Sequence, residues 1–207
     1  MTISLSDTGK RFNRDWIFRH FTYNFDHGQS YAITGPNGSG KSTLLQVLSS
    51  SLAISEGQIQ FKTAASSDTI NDEKVFKQIA LAAPYLDVIE EMTFSEFMQF
   101  HIAFKPLLPG LTIQQIAEIT GLQKAVNKQI RYYSSGMKQR VKLAQCIFSD
   151  TSTVLLDEPC TNLDTDGIAL YHHLIQNYCS NRLVVVSSND KVEYDFCRNT
   201  VSILDYK

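Results

Sequence analysis

The sequence predicts an α/β fold in which a mostly parallel sheet is covered by helices on both faces. Two short segments, 154–156 and 183–186, are apolar at every position, as strands buried on both faces are. They alternate with segments in which apolar residues recur at helical spacing. A third strand, at 29–34, runs into a glycine-rich turn and a helix that starts at Lys41. Strands that alternate with helices in this way form parallel sheets.

A helical stretch separates the two halves of this strand pattern. Apolar residues recur at helical spacing over 93–130, and prolines and a glycine at 106–110 interrupt the periodicity. Small polar residues at 64–72 predict a surface loop, and Gly57 is expected to mark a turn before a strand at 58–61. We interpret the chain as a single domain with two parts: a core at 1–85 and 134–207, and an inserted helical lobe at about 86–133.

Composition predicts a soluble, cytoplasmic protein. No segment reaches the roughly 18 to 20 uninterrupted apolar residues that a transmembrane helix needs, and the first residues lack the apolar core of a secretory signal. The four cysteines show no C-x-x-C spacing, which indicates neither a zinc site nor a disulfide framework. A net charge of −2 with both signs interspersed gives no broad basic face, so nucleic acid is not expected as the main partner.

The pattern G-x-x-x-x-G-K-[ST] lies between the strand predicted at 29–34 and the helix that starts at Lys41. Glycines in such a loop let backbone N–H groups wrap around phosphates, and the helix N-terminus adds a favourable dipole. Lys41 would contact the β- and γ-phosphates, and the Ser42 hydroxyl would ligate Mg²⁺. A glycine loop that only turns the chain is the alternative, which the strand and helix context disfavours. A P-loop NTPase fold is therefore predicted, with ATP contacted by Gly35, Pro36, Asn37, Gly38, Ser39, Gly40, Lys41, Ser42 and Thr43.

An acidic pair, Asp157 and Glu158, follows the apolar strand at 154–156. Parallel sheets bind their ligands at the carboxyl ends of the strands, which is where this pair lies. Such a pair is commonly only a solvated boundary, but a phosphate loop needs a metal-binding acid on a neighbouring strand. We therefore expect Asp157 to hold Mg²⁺, directly or through water, and Glu158 to act as general base on the attacking water.

A third motif resembles a known family. The segment Tyr133-Ser134-Ser135-Gly136-Met137-Lys138-Gln139-Arg140 is similar to the signature sequence of ABC (ATP-binding cassette) proteins, usually written LSGGQ, and precedes Asp157 by the spacing seen in that family. Cys160-Thr161-Asn162-Leu163-Asp164 resembles the family's D-loop. Small residues at a helix N-terminus form an anion site, so Ser134, Ser135 and Gly136 are expected to bind a γ-phosphate.

The resemblance implies further features of fold, site and partners. An ABC nucleotide-binding domain has an N-terminal antiparallel β region and an inserted helical lobe, and its signature binds ATP held by the other subunit. An ATP-dependent homodimer is therefore expected. Phe12 lies where the family has an aromatic residue that stacks on adenine, although core packing is an alternative and Trp16 is a rival. The resemblance also implies an integral membrane subunit that would hold this chain at the cytoplasmic face of the membrane.

Two positions depart from the family pattern. The family usually has a glutamine at the junction of the core and the helical lobe, where this chain has Pro84 or Tyr85. The family also has a histidine after the strand at 183–186, and Asn189 stands in that place. An amide donates only a neutral hydrogen bond and has no useful pKa, so Asn189 is expected to hold the γ-phosphate but to give slow turnover. The five histidines lie elsewhere, at spacings that indicate packing rather than a metal site.

Three functions fit these motifs. The preferred hypothesis is an ATP-hydrolysing subunit of an ABC transporter, in which two copies close on two ATP molecules and move separate membrane subunits. The compact length suits a simple exporter-type cassette, of which a small haem-export or cytochrome-maturation subunit is an example. A soluble ABC-type ATPase in assembly, repair or translation would tend to carry coiled-coil insertions or basic extensions, which the sequence does not show. The missing glutamine and histidine suggest a nucleotide-dependent binding module with weak catalysis.

Overall fold

A computed structural model of the protein describes residues 1–63 and 68–207, which divide into two compact units. The core unit consists of Met1–Leu81, Ser152–Asp157 and Asn181–Lys207, and the helical unit consists of Ala82–Thr151 and Glu158–Ser180. Part of the loop predicted at 64–72 lies outside the described residues. Its last residue begins a short helix, α2 (Asp72–Val75).

The core unit contains an antiparallel sheet of three strands in the order β2-β1-β4, namely β1 (Thr2–Phe12), β2 (Asp15–Phe25) and β4 (Glu56–Lys62). Alternate positions of β1 are buried at Ile3 and Leu5, as expected for a sheet with one face on a core. This sheet is the N-terminal antiparallel region that the family resemblance implied.

Gly57 lies inside β4 rather than in a turn before it, so that prediction is wrong. Its backbone φ of 79° is in the left-handed region. A Cβ at this position would lie 2.2 Å from the carbonyl oxygen of Asp7. The glycine is needed because the β1–β4 register shifts between Ser6 and Gly9, which brings the two backbones close together.

A parallel sheet of five strands forms the second layer of the core unit. Its order is β5-β6-β7-β3-β8, with β3 (Ser30–Thr34), β5 (Ile79–Ala82), β6 (Thr153–Asp157), β7 (Leu183–Ser187) and β8 (Asn199–Ser202). Every residue of β6 and β7 is buried, which explains the uninterrupted apolar runs at 154–156 and 183–186 within them. The predicted α/β fold with a mostly parallel sheet is confirmed.

Helix α1 (Lys41–Leu48) packs on one face of this parallel sheet, and α7 (Lys191–Tyr194) precedes β8. Leucines of α1 share one apolar cluster with every second residue of the central strands, because side chains of a strand alternate between its two faces. The cluster members that define this α1 face of the sheet are Leu44, Leu45, Leu48, Tyr31, Ile33, Leu155, Leu183, Val185 and Val201.

The helical unit is built from α3 (Phe94–Ile102), α4 (Ile113–Ile119), α5 (Ser135–Ile147) and α6 (Thr165–Tyr178). Helices α3 and α4 each begin with a capping box, formed by Thr93 with Glu96 and by Thr112 with Gln115. Among the described residues, none of the helices is long and apolar enough to cross a membrane. The unit is larger than the lobe predicted at about 86–133, because α5 packs against both α3 and α6.

Candidate functional site

The predicted phosphate loop joins β3 to α1 in the core unit. Gly35, Gly38 and Gly40 have φ values of 144°, 76° and 100°, which residues with a Cβ rarely adopt. A Cβ at Gly40 would lie 2.3 Å from a methyl carbon of Ile17. No side chain of the described residues caps the N-terminus of α1, so its first N–H groups stay available to an anion.

The ammonium group of Lys41 lies within this loop. The residue is 5% exposed, and its Nζ donates to the carbonyl oxygens of Gly35 at 2.7 Å and Pro36 at 3.3 Å. A second lysine, Lys207, donates from its Nζ to the carbonyl oxygens of Ile17 at 2.7 Å and Ser39 at 2.6 Å. Lys41 therefore places a positive charge where phosphates would bind, and Lys207 links the loop to β2.

Asp157 ends β6 and is 3% exposed. It pairs with Ser187 of β7, and β7 lies beside β3, from which the phosphate loop emerges. The carboxylate and the loop therefore lie at the same carboxyl edge of the sheet. Ser42 is the second residue of α1.

The donors at this edge fit magnesium. A carboxylate and a hydroxyl are oxygen ligands of the kind that Mg²⁺ prefers, with water and phosphate oxygens completing its shell. Within residues 1–63 and 68–207, no group of three or more His, Cys, Asp and Glu side chains forms a metal cluster. The Ser42 hydroxyl and the Asp157 carboxylate are the residues that would hold such a cation.

Asn189 contacts the phosphate loop at two points. Its side-chain carbonyl accepts from the backbone N–H of Gly35 at 3.3 Å, and its amide nitrogen donates to Oδ1 of Asn37 at 3.0 Å. The contact exists because β7 and β3 are neighbours, so the residues that follow their carboxyl ends meet. A neutral histidine also has one donor and one acceptor, but they lie on opposite sides of its ring, whereas the Asn189 amide presents both groups at one end.

Replacement of Asn189 by histidine tests the role of this amide. We expect Asn189→His to raise kcat for ATP hydrolysis by about tenfold, because an imidazolium donates a charge-assisted bond to the γ-phosphate. Asn189→Ala, the matched control, should lower kcat and raise KM, since it removes both loop contacts. A folded, ATP-binding Asn189→His protein with unchanged or lower kcat would mean that the loop contacts outweigh the charge.

Phe12 and Trp16 occupy different environments in the hairpin of β1 and β2. Phe12 ends β1 and is 47% exposed, and the centroid of its ring lies 5.0 Å from the Nζ of Lys10. The Trp16 ring lies 5.5 Å from the guanidinium carbon of Arg11 and 4.5 Å from that of Arg19. Cations lie over both rings, two guanidinium groups over Trp16 and one ammonium over Phe12, and Phe12 as the ring that stacks on adenine stays a prediction.

Glu158 is the first residue of the second segment of the helical unit. Its φ of 44° is uncommon for a residue with a Cβ, and its carbonyl oxygen accepts from the backbone N–H of Thr161 at 3.2 Å. The side chain is half-buried. The chain therefore turns sharply after β6, a strained conformation of the kind that clusters at functional sites.

The signature segment and the D-loop segment lie together in the helical unit. The Ser134 side chain caps α5 by accepting from the N–H of Met137 at 3.2 Å. A Cβ at Gly136 would lie 3.0 Å from the carbonyl oxygen of Asn162, so the two segments touch. The concavity between them, about 290 Å³, is lined by Ser134, Ser135, Gly136, Met137, Arg140, Asn162, Leu163 and Asp164. It exposes the N-terminus of a 13-residue helix, which suits an anion.

The segment that lacks the family glutamine is held by a lysine. Lys142 of α5 donates from its Nζ to the carbonyl oxygen of Pro84 at 3.1 Å, and Tyr85 is 44% exposed. Burial lowers the pKa of Lys142, an effect that the charge of Asp87 opposes. Sequence reasoning missed this contact because no motif marks a lysine that bonds to backbone carbonyls.

His101 has the packing role expected of the histidines. It is 8% exposed, and its Nε2 lies 2.7 Å from the Ser149 hydroxyl while its Nδ1 lies 3.1 Å from the Gln145 amide nitrogen. Burial, together with the charge of Lys105, lowers the pKa of His101 to about 4. The imidazole is therefore neutral near pH 7 and belongs to a structural hydrogen-bond network.

The parallel sheet, the phosphate loop and the signature segment define a nucleotide-binding P-loop protein. The family model for ABC transporters matches residues 18–161. The chain therefore belongs to the ABC transporter family, as one of its ATP-binding proteins.

Curated relatives include proteins of similar and of greater length. The chain is 32% identical over 165 residues to the cytochrome c biogenesis ATP-binding export protein CcmA of Xanthomonas oryzae pv. oryzae, which covers 79% of this chain and 74% of CcmA. It is 26% identical over 213 residues to the ABC transporter ATP-binding protein YhcH of Bacillus subtilis. That match covers 98% of this chain but 66% of YhcH, so the chain spans about two thirds of that relative.

Solved ABC cassettes share the fold. The dimeric structure of the bacterial cassette MJ0796 superposes with a TM-score of 0.79 at 20% identity, covering 97% of this chain and 94% of that chain. A post-hydrolysis state of the same cassette, bound to ADP and Pi, gives a TM-score of 0.81. These structures confirm the P-loop fold with its helical unit and antiparallel sheet.

Proposed function

We propose that this chain binds and hydrolyses ATP as the energy-supplying subunit of an ABC transporter. The observation that carries the proposal is the core-unit site, where the buried Lys41 ammonium, an uncapped α1 N-terminus and Asp157 share one sheet edge. These groups are a cation, a set of backbone donors and a metal-ligating acid, which a nucleoside triphosphate with magnesium requires. Family membership supports the same reaction.

Each residue has a separate task in this proposal. Lys41 exchanges its contacts with loop carbonyls for the β- and γ-phosphates, and α1 donates N–H groups to them. Ser42 and Asp157 hold Mg²⁺, which neutralises phosphate charge when it is bound. Glu158 accepts the proton of the attacking water, and Asn189 holds the γ-phosphate with a neutral bond.

The signature segment acts in a second copy of the chain. We infer that Ser134, Ser135 and Gly136 of one subunit bind the γ-phosphate held by the phosphate loop of the other. The dimer of MJ0796 supports this arrangement as a precedent for the fold. ATP thus closes the dimer, and hydrolysis lets it open.

Membrane coupling is proposed to run through the helical unit. Its exposed apolar residues include Leu86 at 40% and Ile89 at 37%, together with the exposed ring pair Phe100 and Phe104. The segment 86–89 follows the residues that Lys142 holds, so a partner bound there would contact a tethered part of the unit.

Replacement of Ile89 by aspartate tests the membrane contact. Ile89→Asp should lower co-purification with the proposed integral membrane subunit by about tenfold or more, because a charge in an apolar interface is left unpaired. Phosphate release and melting temperature should stay near the parent values. Leu204→Asp, which places the same charge at an exposed apolar residue of the core unit, is the matched control. Equal co-purification of both variants with the parent would reject the 86–89 contact.

A nucleotide-dependent binding module is the second candidate. The observations that favour it are Pro84 or Tyr85 at the glutamine position and the neutral amide of Asn189. Phosphate release from ATP with and without Mg²⁺ separates the two functions. Magnesium-dependent turnover supports the ATPase, whereas tight ATP binding without release supports the binding module.

A further inference from the structure

Ser187 has a buried hydroxyl for which the described residues supply no hydrogen-bond partner. The residue is 0% exposed, and its Oγ has no hydrogen-bond partner among the described residues. The next residue, Ser188, is equally buried, yet its hydroxyl accepts from the backbone N–H of Asp190 at 2.9 Å. Burying a hydroxyl without a partner opposes folding, so such a group indicates a ligand that supplies the missing bond.

The position of Ser187 identifies where that ligand would lie. Ser187 pairs with Asp157 of β6 on one side and with Ile33 of β3 on the other, in parallel register. Residues paired across neighbouring strands point to the same face, with the strands about 4.8 Å apart. The Ser187 hydroxyl is therefore a direct neighbour of the Asp157 carboxylate.

Both side chains point to the α1 face of the sheet. Leu155 and Val185, two residues earlier on the same strands, lie in the apolar cluster with the leucines of α1. Helix α1 contacts both β6 and β7. Ser187 thus extends this face to the carboxyl edge, where α1 begins at Lys41 and Ser42.

We propose that Ser187 is a further residue of the magnesium site, where its hydroxyl hydrogen-bonds the hydrated cation beside Asp157. The inference rests on the proposed ATP- and magnesium-binding function and adds a residue to its site. Hydroxyl and carboxylate oxygens both suit the water shell that Mg²⁺ retains in proteins. Ligand binding then satisfies a group that the nucleotide-free protein leaves without a partner.

The test compares magnesium-dependent ATP binding by the parent, Ser187→Ala and Ser187→Cys proteins. ATP affinity is measured by calorimetry in EDTA and in Mg²⁺, and Mn²⁺ uptake by the ATP-bound protein is followed by its paramagnetic resonance signal. Both variants should bind ATP in EDTA like the parent and should bind Mn²⁺ about five- to tenfold more weakly. The cysteine variant has the same branching as serine but supplies only a weak hydrogen-bonding group.

Two further measurements make the outcomes distinguishable. Nucleotide-free Ser187→Ala should melt at or above the parent temperature, since it removes an unsatisfied hydroxyl, and Ser188→Ala should keep the parent affinity for Mn²⁺. Unchanged Mn²⁺ affinity in both Ser187 variants would overturn this inference alone. A parent protein whose ATP affinity is insensitive to Mg²⁺ and Mn²⁺ would instead overturn the proposed function.

Discussion

Glu158→Gln is expected to lower ATP hydrolysis by at least about 100-fold while leaving ATP and Mg²⁺ affinity within about twofold of the parent, because general bases contribute factors of this size. Glutamine matches glutamate in shape but cannot accept a proton from the attacking water. The left-handed backbone at Glu158 is equally strained with either residue, so the fold should not change. Phosphate release and calorimetric ATP binding measure the two effects separately.

The same variant should accumulate as an ATP-bound dimer. In the proposed dimer, closure requires ATP and reopening requires hydrolysis, so loss of the general base should trap the closed state. Size-exclusion chromatography with ATP and Mg²⁺ detects it, and Glu73→Gln, at an exposed glutamate of α2, makes the same charge change as a control. A Glu158→Gln protein that is saturated with ATP yet monomeric at high concentration would contradict the dimer, and one that hydrolyses at the parent rate would contradict the base.

The parallel sheet and the glycine-rich turn at 35–40 were predictable because their physical requirements are local. The middle of a strand buried on both faces is apolar, as 154–156 of β6 and 183–186 of β7 are. Positive φ values favour glycine, and the loop has glycine at three such positions, Gly35, Gly38 and Gly40. Each requirement acts on neighbouring residues and therefore leaves a readable pattern.

Features that depend on distant contacts left no such pattern. Gly57 resembled a turn glycine, but its conformation is set by the close approach of β1, about 50 residues away in the sequence. Ser187 looked like an ordinary residue after a strand, and its lack of a partner is visible only when its neighbours are known. The bonds from Lys142 to backbone carbonyls are likewise a property of tertiary structure.

The two departures from the family pattern acquire a physical meaning in the structure. Asn189 uses both ends of its amide on the phosphate loop, and the segment around Pro84 is tied to α5 through Lys142. At both positions the chain has residues whose hydrogen bonds restrain the backbone, in place of side chains that transfer protons. We therefore expect a site that holds nucleotide well and turns it over slowly.

Lys41→Ala is expected to weaken ATP binding by about 10- to 100-fold and to abolish measurable hydrolysis. Hydrogen bonds from an ammonium to phosphate are worth about 1.5–3 kcal/mol, which corresponds to this change in Kd. The loss should exceed that of any single backbone donor, because the lysine alone brings a full charge into a nearly buried position.

The alanine variant also loses the two bonds from Nζ to the carbonyl oxygens of Gly35 and Pro36, so a disturbed loop must be separated from a lost phosphate contact. Lys207→Ala provides the comparison, since it removes an ammonium that bonds to the loop carbonyl of Ser39 without lying in the motif. Melting curves should show both variants folded, and ATP titration should show a large defect for Lys41→Ala alone. Equal defects in the two variants would mean that ATP affinity depends on the rigidity of the loop rather than on a charged contact from Lys41 to the phosphates. Parental hydrolysis by Lys41→Ala would show that 35–42 is not the phosphate loop.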